Sequence, residues 1–192
     1  MPASTELRWP RRTARLGLRP ILHSDLDVVA TYRTDPGVTR WVGRATRTGA
    51  EVEEHFFQQD APTLSLVVEH SGHVVGDLMI AVSDAWGQHE VKDSVRDAEA
   101  RLGWTLAPTH RGQGLMTEAV AEVLRICFED LAVRRVVAEC FEANEASWRL
   151  MERLGMRREG HFVAESLHRD LGWIDSLSYA LLADEWRAAR SA

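Results

Sequence analysis

The sequence predicts a single α/β (α+β) domain in which six to seven strands are combined with several helices. One indication is the pattern of apolar residues, which alternates with polar residues in some runs and recurs every three or four residues in others. A second indication is the direct succession of strand, glycine loop and helix over residues 101–131. The third is length, because 192 residues are enough for one well-buried core and few for two.

Composition argues against nucleic acid and membrane as partners. The chain is 45% hydrophobic and 27% charged, as soluble globular proteins are, and its net charge of −6 is unlike a basic nucleic-acid-binding surface. No apolar run reaches the roughly eighteen residues of a membrane span, and the N-terminus lacks the apolar core of a secretion signal. Cys127 and Cys140 lie in apolar patterns typical of buried thiols. We therefore expect a cytoplasmic protein, and the negative charge mildly favours a cationic substrate.

The first quarter of the chain predicts a tail, a strand and two helices. Residues 1–12 have no clear period and are expected to form a flexible N-terminal tail, so that the domain covers residues 13–192. Alternation over residues 13–20 predicts a strand. A capping-box-like start at residues 24–27 predicts a helix that ends at Asp35-Pro36-Gly37, and Thr48-Gly49-Ala50-Glu51 predicts a second helix start.

A hairpin and a polar segment follow. Residues 64–70 and 73–80 are two largely apolar runs joined at a Ser-Gly turn, which predicts two antiparallel strands. His70 and His73 flank this turn, but no cysteine or clustered carboxylate completes a metal site, and we predict no metal. Residues 83–98 are long and polar for a connection, so they are interpreted as a solvated loop, with a mobile flap as the alternative.

The central stretch combines a strand, a glycine loop and a long helix. Leu102, Trp104 and Leu106 alternate with polar or small residues, and apolar residues at helical spacing over 115–131 predict a helix with one buried face. Gly112 and Gly114 leave the free amides of the first helical turn open to close approach, so the junction is suited to a phosphate. It lacks the Lys-Ser/Thr of a nucleotide P-loop and the third glycine of the dinucleotide fingerprint. The alternative to a phosphate site is an ordinary tight turn between strand and helix.

Alternating and helical patterns also predict the remaining elements. These are a strand over 134–141, a helix over 145–154 ended by Gly155, strands over 156–163 and 173–182 joined by a charged stretch over 165–172, and a helix over 183–190.

Two motifs together resemble those of a known enzyme family. Arg111-Gly112-Gln113-Gly114-Leu115-Met116 follows a hydrophobic strand, and Asn144-Glu145-Ala146-Ser147 leads into a helix that ends in Leu154-Gly155-Met156. In this order they resemble the acyl-CoA loop and the later strand-to-helix segment of the GNAT N-acetyltransferase superfamily, in particular its ribosomal-protein-alanine N-acetyltransferase-like branch. The likeness covers about residues 13–186. Met116 departs from the family pattern, since a small residue is usual there, but its flexible side chain can turn into the core.

The resemblance implies a fold and an activity. The fold is a mixed, mostly antiparallel central sheet of about six to seven strands with helices on both faces. The activity is direct transfer of an acetyl group from acetyl-CoA, without a metal, to a primary amine of a small molecule or a protein N-terminus. The alternative is a non-catalytic acyl-CoA-binding sensor or regulatory module. A homodimer is compatible with the branch, although no sequence feature establishes one.

The resemblance also assigns cofactor contacts. The amides of the glycine loop would bind the diphosphate, the strand of Leu106 would bind the pantetheine arm and donate an N–H to the thioester oxygen, and Asn144 would bond the arm. A helix N-cap is the alternative role for Asn144, and for Ser147 a capping role within the same helix. The implied cofactor-binding residues are Leu106, Arg111, Gly112, Gln113, Gly114, Leu115, Met116, Thr117, Asn144 and Ser147.

The sequence indicates the catalytic and acceptor-binding residues less clearly than the cofactor contacts. The family often protonates the leaving thiolate with a tyrosine that this chain lacks at the start of the later helix, so Ser147 is the candidate donor. For the general base we rank Glu165 first, Glu99 second and His161 third, with a structural role as the alternative for each. Trp41 and Phe56 are candidate acceptor contacts, or ordinary core aromatics. We interpret Asp175 as structural.

Overall fold

In the computed structural model, which describes residues 7–58 and 63–191, the chain folds around one eight-stranded sheet. The order of the strands in the sheet is β1-β2-β3-β4-β5-β6-β8-β7. The strands are β1 (Arg11–Arg12), β2 (Leu16–Pro20), β3 (Thr63–His70), β4 (His73–Ser83), β5 (Glu99–Leu106), β6 (Arg135–Phe141), β7 (Arg157–His168) and β8 (Gly172–Leu182). The helices are α1 (Leu26–Arg33), α2 (Pro36–Thr39), α3 (Gly49–Phe57), α4 (Leu115–Arg125), α5 (Glu145–Arg153) and α6 (Ala183–Ser191).

The sheet is mixed and mostly antiparallel, as predicted. Every neighbouring pair is antiparallel except β5 and β6, which run parallel. The strand count is one above the predicted range because residues 11 and 12 form β1 against β2. Leu7 and Trp9 also pack on the main core, so residues 7–12 belong to the fold and not to a flexible tail. The rest of the predicted tail lies outside the described residues.

Helices cover both faces of the sheet. On β3, Leu66 and Val68 point into the main core beneath α4, whereas Val67 points into a second, smaller core beneath α1 and α3. This double burial follows from the period-two alternation of a strand. Each fully buried Leu or Val side chain contributes roughly 1.5–3 kcal/mol relative to exposure. The sheet is therefore the layer that joins the two cores.

The helices on the second face begin and end close to the predicted points. The α1 helix ends at Arg33, and Asp35 then caps the short α2 helix, its carboxylate accepting from Gly37 N–H at 2.8 Å. The Thr48 hydroxyl accepts from Glu51 N–H at 3.3 Å at the start of α3. The predicted Thr48 cap is thus confirmed, and α2 is an additional element between the two predicted helices.

The long helix after the glycine loop is confirmed with one change. Its apolar face is buried through Leu115, Ala119, Val120, Val123 and Leu124. From Ile126 to Asp130 the helix continues as a π-type turn, so the predicted single helix is two joined segments. Gly155, at φ +78°, ends α5 as predicted.

The C-terminal hairpin is longer than predicted. The β7 strand continues to His168, through half of the charged stretch interpreted as a connection, and the turn is confined to residues 169–171. Two register shifts on β7, one before Gly160 and one before Ser166, disturb the alternation by which a strand is recognised. As the edge strand of the sheet, β7 also exposes most of its polar side chains. Among the described residues, none of the helices combines the length and the apolar character needed to cross a membrane.

Candidate active site

The central feature of the site is a gap between β5 and β6. These strands pair only from Glu99–Arg135 to Arg101–Val137. On the other side of β5, Ala107 N–H donates to Val75 carbonyl at 2.8 Å. Since main-chain groups alternate in direction along a strand, the N–H and C=O groups of Leu102, Trp104 and Leu106 point away from β4 and into the gap.

A cavity of about 1090 Å³ occupies this gap. Its lining comes from the glycine loop, the start of α5, the α1–α3 region and the β7–β8 hairpin. Of the predicted cofactor contacts, all but Gln113 line it: Leu106, Arg111, Gly112, Gly114, Leu115, Met116, Thr117, Asn144 and Ser147. The cavity thus brings together two motifs that are about thirty residues apart in the chain.

The glycine loop has the geometry of an anion site. Gly112 and Gly114 have φ angles of +75° and +73°, a left-handed conformation in which any side chain is strained. A Cβ atom on Gly112 would have no neighbour within 4 Å, so the loop is open on that side. Gly114 is the N-cap of α4 and provides no side-chain cap, which leaves the first amides of the helix for a ligand.

The unusual Met116 does not crowd this loop. Its side chain is only 6% exposed and packs in the main core. The Met116 Cε atom lies 3.2 Å from where a Cβ on Gly76 would stand. The methionine therefore points away from the loop surface and into the sheet, as its flexibility allows.

The start of α5 presents two polar side chains to the cavity. Asn144 is at the N-cap position but its side chain makes no capping bond, and it is half-buried in the cavity wall. The Ser147 N–H donates to the Asn144 carbonyl at 3.0 Å, so the main chain closes the first turn. The Asn144 side chain thus faces the cavity without a capping bond, and the Ser147 hydroxyl faces it while hydrogen-bonded to the Cys140 thiol.

Of the two cysteines predicted to be buried thiols, Cys127 is buried and Cys140 is only half-buried. Both are free. Burial raises the pKa of Cys127 to about 12. Burial likewise raises the pKa of Cys140 to about 11, against the opposing effect of a hydrogen bond with Ser147. Cys140 lines the cavity beside Ser147, but at neutral pH it is a thiol and not a nucleophilic thiolate.

Glu165 lines the cavity from the β7–β8 hairpin. Its Oε2 atom accepts hydrogen bonds from the Ser166 hydroxyl at 2.5 Å and the Ser176 hydroxyl at 2.9 Å. These bonds lower the pKa of Glu165 below its ordinary value. The group is therefore an ionised carboxylate at neutral pH, held in one orientation by two serines.

The two aromatic candidates for acceptor contacts have different positions. Trp41 lines the cavity, with its ring centroid 6.5 Å from that of Phe141 and 5.6 Å from that of His168. Phe56 instead packs on the second core beneath the Arg33 guanidinium, outside the cavity. Phe56 is therefore a core aromatic, which was the alternative to an acceptor contact. The neighbouring His55 is the α3 side chain that lines the cavity.

Two of the candidate bases also lie outside the cavity. Glu99 is at the closed end of the gap, where it forms an ion pair with Arg135. His161 Nε2 contacts Asp175 Oδ2 at 2.6 Å on the β7–β8 hairpin. Asp175 also accepts from Ala164 N–H at 2.8 Å, which is the structural role predicted for it. Only Glu165 among the three faces the space where a substrate could lie.

A polar network that reaches the cavity wall through Arg33 and His55 was not predicted. Arg33 forms an ion pair with Asp77, and the Tyr32 hydroxyl donates to the same carboxylate at 2.9 Å. Arg33 Nη1 lies 3.1 Å from His55 Nε2. Burial and the Arg33 charge lower the pKa of His55, so that this imidazole is neutral and accepts from the guanidinium. The partners are far apart in the chain, and no local sequence pattern marks them.

Comparison with known proteins agrees with this geometry. The family model described as "Acetyltransferase (GNAT) domain" matches residues 15–157. The chain is 24% identical to the uncharacterized N-acetyltransferase YnaD of Bacillus subtilis (strain 168), over 91% of this chain and 97% of YnaD. It is 30% identical to the [ribosomal protein uS5]-alanine N-acetyltransferase of Escherichia coli (strain K12), over 46% of this chain and 45% of that enzyme. The structure of Mycobacterium smegmatis RimJ in complex with CoA-disulfide superposes with a TM-score of 0.73 at 22% identity, covering 91% of this chain and 89% of RimJ.

Proposed function

Because the chain belongs to the acetyltransferase (GNAT) family of acyltransferases, whose donor is acetyl-CoA, we propose that its cavity holds acetyl-CoA beside a primary amine for direct acetyl transfer. The observation that carries this proposal is the gap between β5 and β6, with the glycine loop at its edge. No metal is part of the proposed reaction.

The residues around the gap fit acetyl-CoA. Free amides at the start of α4 and the open side of Gly112 suit a diphosphate. The main-chain groups of Leu102 to Leu106 that face the gap suit an extended amide-containing arm, which can pair with them as an added strand would. Asn144, whose side chain does not cap α5, is placed to bond the same arm.

Bound acetyl-CoA supplies an acyl group that is activated as a thioester. The Leu106 N–H points into the gap and donates to the carbonyl oxygen as negative charge develops there. The Ser147 hydroxyl donates to the departing sulfur. Both tyrosine hydroxyls of the chain are engaged elsewhere, Tyr32 with Asp77 and Tyr179 with Glu152, so the proposed donor is the serine at the start of α5.

Glu165 is the residue that acts on the acceptor amine. As an ionised carboxylate it attracts the ammonium form of the amine, and it then accepts the proton directly or through a water molecule. Trp41 contributes an apolar surface to the same cavity. Glu99 and His161 have no part in this step, since each is paired with another residue outside the cavity.

The acceptor is a primary amine of a small molecule or of a protein N-terminus. The second kind is supported by the E. coli relative, which is named for alanine of a ribosomal protein. The carboxylate of Glu165 in the cavity wall is compatible with either, because both carry a cationic amine at neutral pH.

A turnover assay tests the proposal. Purified protein is mixed with acetyl-CoA and a panel of polyamines, amino acids and peptides with free N-termini, and the release of CoA thiol is measured. We expect release above background for at least one amine and none for N-acetylated controls. Tight CoA binding without turnover on any amine would favour the sensor alternative, and failure to bind acetyl-CoA would refute the proposal.

A further inference from the structure

The turn between β1 and β2 is bonded to the first turn of α4. The Thr13 hydroxyl donates to Glu118 Oε1 at 2.5 Å, and the Arg15 N–H donates to the same oxygen at 2.9 Å. Arg15 Nε donates to Glu118 Oε2 at 2.7 Å. The N-terminal hairpin is therefore fixed to the helix directly behind the glycine loop.

The same guanidinium also reaches the loop. Arg15 Nη1 donates to the Gln113 carbonyl at 2.9 Å. Arg15 Nη2 lies 3.7 Å from where a Cβ on Gly114 would stand. One side chain thus links the Glu118 carboxylate to the two residues at the centre of the loop.

Glu118 presents an electrostatic difficulty for a diphosphate at this loop. Burial acts to raise the pKa of Glu118, but hydrogen bonds from Thr13 and Arg15 outweigh it and lower the pKa, so the group is ionised at neutral pH. A carboxylate suits the positive end of a helix, yet its charge opposes that of a phosphate bound at the same amides. The Arg15 charge, bonded directly to this carboxylate, balances it.

We propose that Arg15 is a positioning residue for the CoA diphosphate. Its guanidinium neutralises Glu118 and holds the Gln113–Gly114 segment so that the loop amides face the ligand. This inference rests on the proposed function, because the ligand it names is CoA. It extends the cofactor site to the N-terminal hairpin, beyond the motifs that line the cavity.

Calorimetry with CoA on Arg15→Ala tests the inference. Loss of the balancing charge and of the loop contact is expected to weaken CoA binding roughly tenfold. The matched control is Arg125→Ala, since Arg125 pairs with Glu122 and Glu129 at 2.7 Å each toward the far end of the same helix. The control is expected to bind CoA within twofold of wild type. Thermal unfolding of all variants checks that they are folded.

Three further readouts separate this role from a general structural one. Pantetheine lacks phosphates, so its affinity, measured by NMR titration, is expected to be the same in Arg15→Ala and wild type. Adding Glu118→Gln to Arg15→Ala removes the unbalanced charge and is expected to recover most of the CoA affinity. Without ligand, amide hydrogen exchange of residues 112–116 is expected to be faster in Arg15→Ala.

Two results would overturn the inference. One is CoA affinity of Arg15→Ala within twofold of wild type, which would leave the proposed function intact. The other is an equal loss of pantetheine affinity, which would indicate general disruption. Absence of CoA binding by the wild-type protein would instead refute the proposed function together with this extension of it.

Discussion

At the scale of single residues, the site depends on where a few polar groups are free and where they are paired. Among the candidate carboxylates, Glu99 is paired with Arg135, whereas Glu165 is held by two serine hydroxyls and faces the cavity. A serine donor orients a carboxylate without cancelling its charge, which an arginine would do. The difference between the two glutamates is thus one of environment and not of residue type.

Glu165→Gln tests the assignment of the base. The amide keeps the shape and the serine contacts but removes the charge and the proton acceptor, so kcat is expected to fall roughly a hundredfold. The control is Glu142→Gln, an exposed glutamate outside the cavity, which is expected to be near wild type. Equal activity of Glu165→Gln and wild type would show that another group takes the proton.

The pH profile of kcat/KM checks the same residue without a substitution. Hydrogen bonds from the two serines lower the pKa of Glu165 below 4.5, so it remains ionised down to that pH. Any loss of activity caused by its protonation is therefore expected only below pH 4.5. An acid limb near neutral pH that disappears in Glu165→Gln would contradict the lowered pKa, whereas an acid limb near neutral pH that persists in Glu165→Gln would show that another group takes the proton.

At the scale of elements, the site is made by joints between strands, loops and helices. The divergence of β5 from β6 opens the gap, and the left-handed glycines turn the chain from β5 into α4 with the amides exposed. The connection from β2 to α1 is fixed by Asp25. Its carboxylate accepts from Leu22 N–H at 2.8 Å and from the Arg19 guanidinium at 2.6 and 2.9 Å. These joints set the positions of the two walls of the cavity.

Gly112→Val tests the glycine joint. A β-branched residue at φ +75° costs roughly 1–3 kcal/mol, so the loop is expected to shift and CoA binding to weaken at least tenfold. Gly49→Ala is the control, because it is the first residue of α3, has open space for a Cβ and lies outside the cavity. CoA affinity of Gly112→Val equal to that of Gly49→Ala would show that the loop amides do not hold the ligand.

Asp25→Asn tests the joint between β2 and α1. Removing a charge that is bonded to Arg19 is expected to cost roughly 1–3 kcal/mol of unfolding free energy at pH 7. Because the pKa of Asp25 is lowered in the folded state, chiefly by the Arg19 bond, this contribution is present above pH 3.8 and is lost as pH falls through the folded pKa. Denaturant unfolding at pH 7 and at low pH measures it, with exposed Asp27→Asn as the control. A difference between Asp25→Asn and wild type that persists unchanged at low pH would contradict this explanation.

At the scale of the whole molecule, the predictions that held rest on local patterns. The strand, glycine loop and helix of residues 101–131 could be predicted because alternation, left-handed glycines and helical spacing are all local. The β1 strand could not be predicted, since two residues are too few to show the alternation typical of a strand. The end of β7 was missed because bulges and exposure at a sheet edge remove the alternation.

The side chains of the site could be predicted only in part, for a related reason. The cofactor loop and Asn144 belong to contiguous motifs, so their shared cavity followed from the family resemblance. The pairing of Arg33 with Asp77 joins residues 44 positions apart, and nothing in either neighbourhood indicates the other. Likewise, whether His55 or Phe56 faces the cavity depends on the rotation of α3 against the sheet, which one sequence does not determine.

An NMR titration of the labelled protein with CoA tests the central claim most directly, because it reports both binding and its place. The account predicts that the amide resonances of Gly112, Gly114 and Leu106 shift in a saturable manner, while those of α6, which does not line the cavity, remain unchanged. Binding that leaves the loop and Leu106 resonances in place, or no binding at all, would contradict it.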